Sequence, residues 1–290
     1  MTIIKIKLIG LLILFPTIAW SQLDSSVYFK SKIDSLNVFG NAIIESVSDE
    51  DKQQANTHFK RIMEELLTND SSFYAHFGKV EKLSVLQAHR LKIYNWALPH
   101  TNGTYTYFAY TQFKTDEGTI LLNELMDKSD ELEKLETKTF TPNFWFGALY
   151  YEIIHDKKLG EKYYTVLGWD GNNLLTNKKV IDVIEIDDKG NIKLGAPIFK
   201  MERRTQRRVI FEYAKMASMS LKYHPKQKQI VFDFLVPSSS RVKGIYEYYG
   251  PALDTFDALT LDKTKWTYQK DVEVTLEKTG KEKNWNDPNK

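Results

Sequence analysis

Between residues 24 and 77 the apolar positions recur at three- and four-residue steps. Ala55, Phe59, Ile62, Met63, Leu66 and Leu67 form one stripe with charged and polar residues opposite, which predicts an amphipathic helix. Ser48, with Asp51 three positions on, predicts its N-cap, and Thr68-Asn69-Asp70 its stop. Val27, Ile33, Leu36, Ile43, Ile44 and Val47 predict an earlier helix, with Gly40 marking a break between two pieces.

From about Leu83 the period becomes two. Runs of β-branched and aromatic residues over 104–113, 145–154, 163–169, 180–186, 209–214, 230–236 and 266–274 predict strands. Asn102-Gly103, Asp170-Gly171 and Lys189-Gly190 supply the left-handed backbone positions that tight hairpin turns need. Gaps of roughly ten to fifteen residues leave no room for the helical crossovers of a parallel sheet, so antiparallel pairing is expected. Residues 121–135 are expected to interrupt the strands with a short helix, because 127–136 is charged and carries helix-forming Leu and Glu. No repeat of propeller length is present.

The fold class that follows is α+β: an N-terminal helical segment followed by a large antiparallel β-meander, as a curled sheet, barrel or sandwich. The expected divisions are a signal peptide over 1–21, a helical segment over 22–80, an antiparallel β domain over 81–276 and a disordered tail over 277–290.

The signal peptide is read from Lys5 and Lys7, the short apolar run over 8–19, and the small residues Ala19 and Ser21 that a signal peptidase inspects. A run of that length, holding Gly10 and Pro16, falls short of the roughly twenty apolar residues a spanning helix needs. The chain is therefore expected to be exported to the periplasm, outer envelope or extracellular space, touching a membrane only transiently through this segment.

The whole chain has 40 basic and 38 acidic residues, and removing Lys5 and Lys7 leaves 38 against 38. A balanced charge gives no electrostatic reason to expect nucleic acid as a partner. The absence of cysteine removes disulfides, thiolate nucleophiles and zinc–thiolate sites together.

Five short blocks resemble an uncharacterised family of exported proteins from Bacteroidota-type bacteria: Trp145-Phe146-Gly147-Ala148-Leu149-Tyr150-Tyr151, Leu167-Gly168-Trp169-Asp170-Gly171-Asn172, Gly195-Ala196-Pro197-Ile198-Phe199, Ile230-Val231-Phe232-Asp233 and Tyr249-Gly250-Pro251. The resemblance spans roughly residues 93–274. It implies an envelope or extracellular location and no assigned activity.

Four acids stand between apolar strand residues: Asp233, Glu152, Asp182 and Glu212. Turned into a closed sheet, two of them would form the acid/base pair that glycoside hydrolysis uses, whereas in a half-solvated sheet each simply faces water. Asp233, flanked at two-residue spacing by Val231 and Leu235, is the strongest of the four. Arg203, Arg204, Arg207 and Arg208 are the densest positive charge, able to clamp an anion or, at a hairpin tip or edge strand, to block unwanted pairing. Trp145, Tyr151, Trp169 and Tyr248 are the aromatic candidates for a ligand, with Arg204 and Arg208 as its ionic anchors.

Asp170-Gly171-Asn172-Asn173 reads as a tight turn, since a calcium loop would need an acid where Ile181 stands. The six histidines show no ligand spacing, so neither a metal nor a cofactor is expected. The reading favoured is a non-catalytic cell-envelope or secreted binding protein whose partner is an unknown ligand or an envelope protein. Two alternatives stay open, a secreted hydrolase using strand carboxylates on a glycan or ester, and a structural partner of an outer-membrane assembly.

Overall fold

A stripe of apolar residues on one face of each helix needs a partner surface, and the two helices first find it in one another. The computed structural model describes residues 27–273; the leader expected over 1–21 and the tail expected over 277–290 lie outside them. Helix α1 is Val27–Glu45 and α2 is Asp49–Leu67. The Ser48 hydroxyl accepts the Asp51 N–H at 3.0 Å and donates to Asp51 Oδ2 at 2.7 Å. Asp49, Glu50 and Asp51 place negative charge in the first turn, where the helix dipole favours it.

Gly40 does not break α1, which runs through it. A Cβ at that position would lie 3.2 Å from Lys82 Cβ and 3.4 Å from Phe59 Cε2. The missing side chain serves close packing, not a change of direction.

The first sheet is a meander of β1 (Ser84–Ala88), β2 (Leu91–Pro99), β3 (Tyr105–Lys114) and β4 (Ile120–Met126). Residues 121–126 are thus strand rather than the expected helix, and the rest of that 121–135 segment holds one 3-10 turn, Ser129–Glu131. Leu121 pairs with Phe113 and Leu125 with Ala109, so cross-strand packing overrides the helical propensity of Leu and Glu.

The second sheet contains β5 (Leu149–Ile154), β6 (Tyr163–Asp170), β7 (Thr176–Ile186) and β11 (Val209–Ala214) in the order β11-β7-β6-β5, with β8 (Ile192–Leu194) also on β7. The third holds β9 (Phe199–Lys200), β10 (Thr205–Gln206), β12 (Leu221–His224), β13 (Gln229–Pro237), β14 (Tyr249–Asp262) and β15 (Lys265–Gln269) in the order β10-β9-β15-β14-β13-β12. The strand pairings within these sheets are antiparallel except that of β15 with β9, where Trp266 faces Phe199 in parallel. None of the three sheets closes into a barrel.

Three cores separate four layers. On β2, Tyr94, Trp96 and Leu98 join the core shared with the helices, while Leu91 and Ile93 join the core shared with the second sheet. On β7, Val180, Ile184 and Ile186 point to that same second core, and Ile181 and Val183 to a third core with Ile230, Phe232, Leu259 and Trp266 of the third sheet. The order is helices, first sheet, second sheet, third sheet.

The second sheet is therefore covered on both faces, and its central strands are buried at successive positions, Tyr164 to Gly168 on β6 and Val180 to Ile184 on β7, polar Thr165 and Asp182 among them. Polar side chains tie the layers at defined points. Trp96 Nε1 donates to Asn56 Oδ1 of α2 at 2.8 Å, and Asn95 of β2 bonds the backbone of Tyr150 on β5.

Candidate functional site

The four strand acids do not converge. Asp182 is wholly buried, and Arg208 Nε donates to its Oδ2 at 2.7 Å. Burial pushes the Asp182 carboxyl up, against the Arg208 guanidinium and the Val183 N–H, which pull it down. Glu152 is half-buried on β5, and burial raises its carboxyl too, opposed by the Tyr223 N–H that donates to it at 3.3 Å. Glu212 accepts from Thr176 Oγ1 at 2.7 Å and from Asn172 Nδ2 at 3.2 Å, which binds it to the turn after β6.

In that turn Asp170 Oδ1 accepts the Asn172 N–H at 2.7 Å, and Asn173 Oδ1 accepts the N–H groups of Leu175 and Thr176. These side chains hold the loop's own backbone.

The arginines divide. Met201 N–H donates to Arg204 O at 3.0 Å, closing the β9–β10 hairpin with Arg203 and Arg204 at its tip. Arg204 pairs with Glu136, and Arg207 Nη1 donates to Thr139 Oγ1 at 2.8 Å. Arg208 is turned into the protein: its side chain is 0% exposed, engages Asp182 and lies over the Phe140 and Phe146 rings.

Of the aromatic candidates, Trp145 is fully buried and donates to the Tyr150 hydroxyl at 2.8 Å. Tyr151 donates to Leu221 O at 2.9 Å, and Lys179 Nζ sits 4.5 Å from its ring centre. Trp169 packs edge-on against Tyr105, and Tyr248 is exposed outside the sheets. The four rings occupy four separate places.

One surface does gather candidate groups. A cleft of about 600 Å³ opens between the β9–β10 hairpin, β11 and the strands β13 to β15. Phe211 and Phe232 meet at 4.6 Å in its floor, and the Tyr268 ring stacks on Phe232 at 6.4 Å. Exposed Phe234 and Arg203 stand at its rim.

Three carboxylates line the cleft, and each has a structural partner. Asp233 Oδ2 accepts the Ser220 N–H at 2.7 Å. Asp257 accepts the Asp271 N–H at 3.0 Å and the Tyr268 hydroxyl, and Glu202 pairs with Lys270 at 2.6 Å. Arg203 makes no ion pair among the described residues, which leaves its guanidinium available to an incoming anion.

Of the residues singled out from the sequence, Asp233, Arg203 and Arg204 lie here, joined by Phe211, Phe232, Asp257 and Tyr268, which sequence alone did not single out as site residues. Asp257 escaped because β14 carries Gly250, Pro251 and a left-handed Asp254, which mask its strand pattern.

Among the described residues no helix is long and apolar enough to cross a membrane. The chain matches no protein-family model, no curated protein and no solved structure.

Proposed function

We propose that this is an exported, non-catalytic binding protein of the cell envelope or its surroundings. Its cleft takes a ring-bearing anionic ligand, of which an acidic sugar residue is the nearest chemical example. Export rests on the Lys5/Lys7 and apolar 8–19 pattern, and the Bacteroidota-type origin on the five sequence blocks.

One observation carries the binding reading: the aromatic floor of the cleft stands beside Arg203, which makes no ion pair among the described residues, while Asp233, Asp257 and Glu202 are all engaged. Aromatic faces stack on rings, and a guanidinium takes a carboxylate or phosphate bidentately. A hydrolase needs instead two carboxyl groups free to exchange protons across the scissile bond.

A single probe separates the two. p-Nitrophenyl glucuronide carries an aryl ring, a sugar ring and a carboxylate, and saturation-transfer NMR reads its contact while absorbance reads any release of nitrophenol. Binding without release is expected; steady release that is lost in Asp233→Asn would establish the hydrolase instead.

A further inference from the structure

The histidine positions carry no ligand spacing, yet two segments distant in the chain, the β1–β2 turn and the β5–β6 loop, bring two of them together with a carboxylate. His89 occupies the turn between β1 and β2 with φ of 49°, His155 directly follows β5, and Glu161 lies in the loop leading into β6. The two imidazoles stack with centroids 4.7 Å apart and planes 2° from parallel. Glu161 Oε2 is 3.6 Å from His89 Nε2 and 3.5 Å from His155 Nε2, and one donor atom from each of the three lies within 4.8 Å of the others.

His155 is the informative member. Its side chain is only 9% exposed, and its Nδ1 lies 3.2 Å from the Tyr163 carbonyl oxygen. An Nδ1–H donating there leaves the lone pair on Nε2, and Nε2 is buried with no hydrogen-bond partner among the described residues. The Tyr164 ring, 4.8 Å away, holds the imidazole in place. A backbone carbonyl on one ring nitrogen is the means by which proteins orient the other towards a metal.

We infer that His89, His155 and Glu161 form a binding site for a divalent transition-metal ion of the zinc class, which clips the β1–β2 hairpin of the first sheet to the β5–β6 loop of the second. Two imidazole nitrogens and one carboxylate oxygen are a donor set that suits zinc. Metal–donor bonds of about 2.0–2.2 Å at tetrahedral angles set donors about 3.3–3.6 Å apart, the spacing both His–Glu contacts already have.

His89 sits on a turn with its side chain 38% exposed, so a modest rotation brings its nitrogen into the same shell. Glu161 is 56% exposed, which leaves the outer coordination position to water. Lys157 Nζ approaches the other carboxylate oxygen, Oε1, at 3.5 Å and leaves Oε2 clear.

The test is isothermal titration of zinc(II) into protein prepared without a polyhistidine tag and stripped with chelator. The site predicts one zinc per chain and a raised thermal midpoint, with affinity reduced at least tenfold in both His89→Ala and His155→Gln. His89→Ala removes an exposed turn residue and so keeps the test valid if His155→Gln fails to fold, and His224→Ala serves as a control that binds like the parent. Absence of stoichiometric zinc binding, or an affinity unchanged in His89→Ala, overturns the site.

Discussion

Arg208 Nε lies 2.7 Å from Asp182 Oδ2 in the doubly covered second sheet, and neither side chain is exposed to solvent. Arg208 Nη1 also donates to Leu135 O at 2.7 Å. A buried pair of this kind is costly to break and cheap to replace, because a lone charge left behind has lost its water.

Arg208→Ala is expected to cost about 3–5 kcal/mol in urea unfolding, as is Asp182→Leu, each leaving one buried charge unpaired. The double variant Asp182→Leu/Arg208→Met is expected to recover most of that loss. Additive losses in the double variant would contradict the pairing.

Asn95 is the corresponding device between the first two sheets. Its Oδ1 accepts the Tyr150 N–H at 2.7 Å, and its Nδ2 donates to Ser84 O and Tyr150 O at 3.2 Å each. Asn95→Ala leaves the Tyr150 N–H without a partner and is expected to cost about 2–3 kcal/mol, read by urea unfolding. Asn95→Asp is expected to be worse, since it sets a carboxylate against two carbonyl oxygens. Equal stability of the two variants would show that the amide donors contribute nothing.

Asp49 links α2 to the β2–β3 turn. The Thr101 hydroxyl and then the Thr101 N–H hold its carboxyl below the ordinary 3.8, and the Lys32 ammonium and then the Tyr28 hydroxyl hold Glu65 below 4.5. A depressed folded pKa gives stability that is fully present above the unfolded value and is lost as pH falls through the folded one. Thermal midpoints measured from about pH 5 to about pH 2 should therefore fall less steeply in Asp49→Asn than in the parent, the gap narrowing towards the acid end. Parallel curves would exclude Asp49 as a contributor.

The change of period near residue 80, the Ser48 cap and the strand over 209–214 were legible because each is written in neighbouring residues. Local patterning did not distinguish a sheet wet on one face from one covered on both. Asp182 between Ile181 and Val183 reads the same in either case, and only its partner 26 positions away decides.

Residues 121–126 went astray for a related reason, since the pairing of β4 with β3 outweighs what Leu and Glu prefer alone. The cleft is assembled from a hairpin and strands of two sheets, and the His89, His155 and Glu161 cluster from loops of two sheets; no spacing in the chain records such meetings.

The binding cleft is tested most directly by calorimetric titration of p-nitrophenyl glucuronide into the parent, Arg203→Ala and Phe234→Ala. Both substitutions are at exposed positions, so thermal midpoints should hold. Loss of one charge-assisted hydrogen bond is worth about 1.5–3 kcal/mol, so Arg203→Ala should bind at least about tenfold more weakly, with a smaller loss in Phe234→Ala. Affinities equal to the parent's in both variants would place the ligand elsewhere and contradict the account.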